Sequence, residues 1–155
     1  MRILVLNGPN LNLLGVREPE IYGTLTLDEL NREVEAYARK LNEHRHEGPQ
    51  QIELAFFQSN HEGVLVDTIQ AAAGTYAGIV YNPAAHTHYS LALRDAVAAI
   101  GIPVVEVHLS DIAAREAFRA TSVIAEVCVG QCKGKGVESY KEALAMLVRV
   151  LDKER

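Results

Sequence analysis

The sequence predicts an α/β fold built on a doubly wound, five-stranded parallel sheet. Three observations predict it. Five short apolar runs alternate with segments of helical periodicity along the 155 residues. The first run, residues 3–6, is continuous rather than alternating, as expected of a strand buried on both faces. Each run stops abruptly on a dense polar cluster. Such βα alternation means a parallel sheet covered by helices on both faces. For five strands the flavodoxin-like order 2-1-3-4-5 is the natural arrangement. The length suits a single domain over residues 1–155.

Composition narrows the class. The net charge of −5 argues against nucleic acid, whose phosphates need a basic footprint. No apolar run approaches the roughly 18 residues of a membrane span. The chain goes straight into a strand, so no signal peptide is expected. Cys128 and Cys132 match no zinc spacing and make no disulfide framework. A reduced, cytoplasmic setting follows by default.

The first strand ends at Asn7-Gly8-Pro9-Asn10, a turn signal. The next helix start is Thr26, so the connection runs to roughly 19 residues where a βα loop usually has about 2 to 6. A loop that long reads either as an Ω-loop or as a lid over a pocket, here about residues 11–25. It carries Arg17 and Tyr22. Thr26 and Glu29 have capping-box spacing, and Leu30, Val34, Ala38 and Leu41 then follow at helical intervals to about residue 43. A second strand is expected over 52–57, ending at Gln58-Ser59-Asn60-His61. A helix follows it, with Val64, Leu65, Ile69 and Ala72 on one side. A third strand over 78–81 ends at Asn82-Pro83, and a helix over 90–100 stops at Gly101. A fourth strand over 103–107 ends at His108-Leu109-Ser110-Asp111. A short helix over 112–119, a fifth strand over 122–129 and a glycine-rich basic segment over 130–136 come next. Ser139 and Glu142 open the last helix, with Ala143, Leu144, Leu147, Val148 and Leu151 on its apolar face.

In sheets of this kind ligands bind at the carboxyl ends of the strands, where every polar cluster above begins. Tyr22 is a poor base at its ordinary pKa near 10, and burial alone would raise that value. A guanidinium such as Arg17 would lower it. Tyr22 is therefore either a base tuned by Arg17 or a hydrophobic anchor of the loop. His108 has Glu106 two residues earlier, on the same strand face. A carboxylate there orients an imidazole and favours its protonated form, which makes His108 a candidate acid. A packing role is the alternative. His86 and His88 alternate but belong to no tight metal-ligand cluster. His88 reads better as a hydrogen-bonding contact than as a metal ligand. Asn10, Asn82 and Ser110 are neutral groups suited to an oxyanion or carboxylate, or else turn residues. Arg115 and Arg119 lie four apart, on one side of the expected short helix. The 130–136 segment lacks the order of a phosphate loop.

Four ordered motifs carry a resemblance over nearly the whole chain: NGPNLNLLGVREPEIYG (7–23), FQSNHEG (57–63), NPAAHTHYSLALRDA (82–96) and EVHLSDIAAREAFRATS (106–122). Together they resemble the type II 3-dehydroquinate dehydratases. The resemblance implies a lyase of the shikimate route to aromatic amino acids, which converts 3-dehydroquinate to 3-dehydroshikimate by trans dehydration through an enolate. It implies no metal and no Schiff-base lysine. Carried over by residue, Tyr22 is the base, Arg17 lowers its pKa, and Asn10 holds the enolate through a water. His108 is the acid, supported by Glu106. Asn82, His88 and Arg119 would contact substrate. The backbone N–H groups of Leu109 and Ser110 would hold its carboxylate, and Asp95 would reach in from a neighbouring subunit. The resemblance also implies a homododecamer, a tetramer of trimers.

Some positions depart from the family pattern. Asp111 stands where the family usually has Asn, which places a negative charge near the expected pocket of an anionic substrate. The segment Gly-Gln-Cys-Lys-Gly-Lys-Gly over 130–136 replaces a more apolar, glycine-rich one.

Overall fold

Five strands pair side by side, all parallel: β1 (Arg2–Asn7), β2 (Glu53–Gln58), β3 (Gly78–Asn82), β4 (Val104–His108) and β5 (Gly130–Lys133), in the order β2-β1-β3-β4-β5. The computed structural model describes residues 1–16, 19–45, 50–114 and 116–153, with the backbone alone at Pro19 and Tyr22. The helices are α1 (Pro19–Tyr22), α2 (Leu27–Asn42), α3 (Glu62–Ala72), α4 (Leu91–Ala99) and α5 (Val137–Lys153).

Strand periodicity sends alternate residues to opposite faces, and a core forms on each. On one face Ile3, Val5, Val80, Val105 and Val107 meet Leu30 and Val34 of α2 and Tyr140, Leu144 and Leu147 of α5. On the other, Leu4, Leu6, Ile79, Tyr81 and Val104 meet Leu65 and Ile69 of α3 and Leu93 and Val97 of α4. This is the expected doubly wound α/β arrangement. Local chemistry fixes the helix starts. The Thr26 hydroxyl accepts from the Glu29 N–H at 3.2 Å, and a Glu29 carboxylate oxygen accepts from the Thr26 N–H at 2.8 Å. Ser90 caps α4 by accepting from the Leu93 N–H at 3.1 Å. Among the described residues, no helix is long and apolar enough to cross a membrane.

Two expectations need correction. The 112–119 segment is not one helix but two 3₁₀ turns, Ile112–Ala114 and Ala117–Arg119. Asp111 starts the first, its Oδ1 accepting from the Ala113 N–H at 3.1 Å. Arg115 lies outside the described residues, so its alignment with Arg119 does not enter. The fifth strand is not the β-branched run over 122–129. There Ser122 Oγ accepts from the Ile124 and Ala125 N–H groups at 3.2 and 2.9 Å. This turns the chain into the 3₁₀ turn Ala125–Val127 and buries Ile124. Local side-chain capping wins over strand propensity. The strand is instead the polar Gly130–Lys133, paired with β4 at the sheet edge.

The strand ends are drawn together at β1 and β3. The Gly8 N–H donates to the Asn82 carbonyl at 2.7 Å. A Cβ added at Gly8 would lie 2.7 Å from the Pro83 carbonyl oxygen and 2.8 Å from its carbon. Backbone cannot yield as a side-chain tip can. Gly8→Ala is therefore expected to destabilise the fold by about 1–3 kcal/mol, as overpacking does, read from urea unfolding midpoints. An unchanged midpoint would show that the two loops do not hold one another.

Candidate active site

The strand order reverses between β1 and β3, and the crevice at such a reversal is where sheets of this kind bind ligands. A cleft of about 660 Å³, counting its open mouth, lies there. After β1 it is lined by Pro9, Asn10, Leu11 and Leu14. After β3 the lining comes from Asn82, Ala84, Ala85 and His88, and from β4 onward from His108, Leu109, Ser110 and Ile112, with Arg119 beyond. The sequence-predicted residues Asn10, Asn82, His88, His108, Leu109, Ser110 and Arg119 are thus brought to one cleft. Asp95 is not. It sits on α4, 74% exposed, with Oδ1 3.5 Å from Arg94 Nη1. Arg17 and the Tyr22 side chain lie outside the described residues.

Glu106 is fully buried behind the cleft, one strand-face step from His108. His108 Nε2 lies 2.6 Å from Glu106 Oε1. A carboxylate accepts, so Nε2 carries the proton and donates. Nδ1 is then the nitrogen left for a ligand in the cleft. Thr87 Oγ1 also donates to Oε1, the Ser122 hydroxyl donates between the two oxygens at 3.0 and 2.9 Å, and Gln131 Nε2 donates to Oε2 at 3.1 Å. Burial by itself disfavours the charged form of this carboxyl. The hydrogen bond and charge of His108, with the bonds from Thr87 and Ser122, outweigh it and hold the pKa below the ordinary value.

Asn82 is held as firmly. Its Nδ2 donates to the Tyr140 hydroxyl at 2.8 Å, which donates in turn to Asn7 Oδ1 at 2.7 Å. Its Oδ1 accepts from the Ala84 N–H at 3.0 Å. That turn holds Ala84 at φ 51°, left-handed for a residue with a Cβ. Asn10 is also left-handed, at φ 66°, and its N–H donates to Asn60 Oδ1 at 2.9 Å. His88 Nδ1 lies 2.8 Å from the Thr121 carbonyl. A carbonyl can only accept, so Nδ1–H donates and Nε2 becomes the acceptor of the neutral ring. His86 does not share this placement: it is buried, with its ring edge-on to Tyr89 at 5.8 Å. Among the described residues, no three His, Cys, Asp or Glu side chains converge as a metal site requires.

Sequence reasoning missed the supports. Thr87, Ser122 and Gln131 around Glu106, and Asn7 and Tyr140 around Asn82, come from distant parts of the chain. One signal was present: Gln131 is polar where a strand beside β4 should be apolar.

A family model described as dehydroquinase class II matches residues 1–148. The chain belongs to the class II dehydroquinase family. A protein of Halothermothrix orenii named 3-dehydroquinate dehydratase is 51% identical over 152 residues, covering 98% of this chain and 97% of the relative. A Bacillus licheniformis protein of the same name is 54% identical over 151 residues, covering 97% and 98%. The crystal structure of a type II dehydroquinase from Butyrivibrio crossotus superposes with a TM-score of 0.87 at 46% identity, covering 95% of this chain and 97% of that one.

In this family member the lowered Glu106 pKa links folding to pH. A carboxyl whose folded pKa lies below its unfolded value adds stability that is full above the unfolded value, near 4.5. That stability is lost as pH falls through the folded value. Urea unfolding from pH 7 to pH 3 should therefore show the wild type losing stability below about pH 4.5 more steeply than Glu106→Gln. Parallel curves would remove Glu106 from the linkage.

Proposed function

We propose that this chain dehydrates 3-dehydroquinate to 3-dehydroshikimate, in the shikimate route to aromatic amino acids. The observation that carries the reading is the His108–Glu106 pair at a cleft lined by neutral donors and by Arg119. An acid must meet a leaving hydroxyl there, and an anionic substrate must find donors.

The reaction is a trans elimination through an enolate. Tyr22, as phenolate, removes a proton from C2, beside the C3 ketone, and Arg17 stabilises that phenolate. The C2–H electron pair moves toward the ketone oxygen, and Asn10 holds the enolate through an ordered water. His108, as imidazolium, gives a proton from Nδ1 to the C1 hydroxyl. The C1–O bond breaks, water leaves, and the returning electron pair forms the C1=C2 bond of the enone. Glu106 keeps the ring oriented and meets its positive charge. The phenol of Tyr22 then returns its proton to solvent, and His108 takes one up.

Asn82, His88 and Arg119 orient the substrate, and the N–H groups of Leu109 and Ser110 take its carboxylate. Asp95 lies outside the lining of its own cleft, which suits a residue that serves a neighbouring subunit in a homododecamer of four trimers. The chain's own side chains supply every proton transfer, so the reading requires neither metal nor cofactor.

Purified protein with 3-dehydroquinate and EDTA should raise the enone absorbance of 3-dehydroshikimate. Tyr22→Phe should cut kcat by at least about a hundredfold, the scale of a lost general base, while the far-UV circular dichroism stays that of the wild type. Turnover in that variant at the wild-type rate would refute the tyrosine base.

A further inference from the structure

Asp111 and Lys133 belong to no step above and do not line the cleft, yet each stands beside residues that do. Ser110 and Ile112, on either side of Asp111, line it. Lys133 is the last residue of β5 and pairs in register with His108, so the two side chains leave the sheet on the same face. Asp111 Oδ1 lies 3.7 Å from Lys133 Nζ and also accepts from the Ala113 N–H at 3.1 Å. Two backbone features seat this contact. Gly134 passes so close that an added Cβ would lie 3.2 Å from the Asp111 Cβ, and the Gly136 N–H donates to the Leu109 carbonyl at 2.9 Å. The glycine-rich turn after β5 thus holds the lysine against the carboxylate-binding loop. The neighbouring Lys135 is engaged elsewhere, 2.7 Å from Glu142.

We propose that Lys133 is a positioning residue of electrostatic kind: it neutralises Asp111, so that the loop presenting Leu109 and Ser110 does not repel an anionic substrate. The inference rests on the proposed activity, whose substrate is a carboxylate. The pair is half-exposed, at 51% for Asp111 and 35% for Lys133, so its worth to folding is small. Its effect falls on the ligand. A carboxylate entering beside Ser110 meets a neutral pair, whereas without Lys133 it meets a full negative charge within a Debye length.

The test is steady-state kinetics with 3-dehydroquinate on wild type, Lys133→Met, Asp111→Asn and the double variant, at about 20 mM and about 500 mM salt, below and above the ionic strength at which such pairs are screened. At low salt Lys133→Met should raise KM roughly three- to fivefold, a size set by one unscreened charge near the site, with kcat within about twofold. High salt should erase the difference. The double variant should return KM to the wild-type value, since Asn still accepts from the Ala113 N–H and leaves no charge unpaired. An unchanged KM for Lys133→Met at low salt would overturn the inference, as would a raised KM that survives either high salt or the second substitution. A folded wild type with no turnover would overturn the activity, and this inference with it. Turnover with a KM indifferent to Lys133 would overturn the inference alone.

Discussion

A carboxylate with no exposure to water sits on β4, one strand in from the edge of the sheet. Taking such a charge out of water costs several kcal/mol, recovered only if its lone pairs are met by well-placed donors. Glu106 meets four side chains that donate to it. They come from the segment after β3, from the turn that follows the two 3₁₀ segments, from β5 and from β4 itself. The site depends on all of these converging, because removing one donor leaves part of a buried charge unmet. The carboxylate is thus a structural demand first. His108 is held where it is because it answers part of that demand.

The same logic applies on the opposite sheet face at smaller scale. Tyr140 lies in α5, and its hydroxyl stands between Asn7 and Asn82, at the ends of β1 and β3. Burial pushes that phenol's pKa up, so it remains a neutral donor. The two neighbouring strand ends are therefore tied through one side chain below and through the Gly8–Asn82 backbone contact above. The cleft opens between rigid walls. Its strained residues, Asn10 and Ala84, are held by bonds to Asn60 and Asn82 rather than left to relax.

The parallel sheet, its order and the cluster of polar strand ends were legible in the sequence because strand burial and helical spacing are local patterns. So was the Glu106–His108 contact, which needs only the two-residue repeat of a strand. The fifth strand was not legible. Its apolar run lies in a turn that Ser122 caps, and the strand itself is polar at Gln131 and Lys133 because those two lie on the face of Glu106 and His108, while Cys132 packs in the core. Tyr140 and Asn7 are 133 residues apart, and no spacing rule joins them. Asp111 was visible as an unwanted charge, but its lysine was hidden inside a segment that looked like a poor phosphate loop.

The register of β5 has a consequence for how this chain can change. Alternate residues of a strand face opposite ways, so Gln131 and Lys133 reach the Glu106 side while Gly130 and Cys132 face α5. A Cβ at Gly130 would lie 2.3 Å from Met146 Sδ. Sliding the strand by one residue would press a side chain against Met146 of α5, and would at the same time withdraw Gln131 from the Glu106 carboxylate. Crowding against Met146 on one face and the buried carboxylate on the other oppose the same error. The number of residues between Ser122 and Gly130 is therefore constrained, since an insertion or deletion there must be absorbed before Gly130 or it misaligns the site.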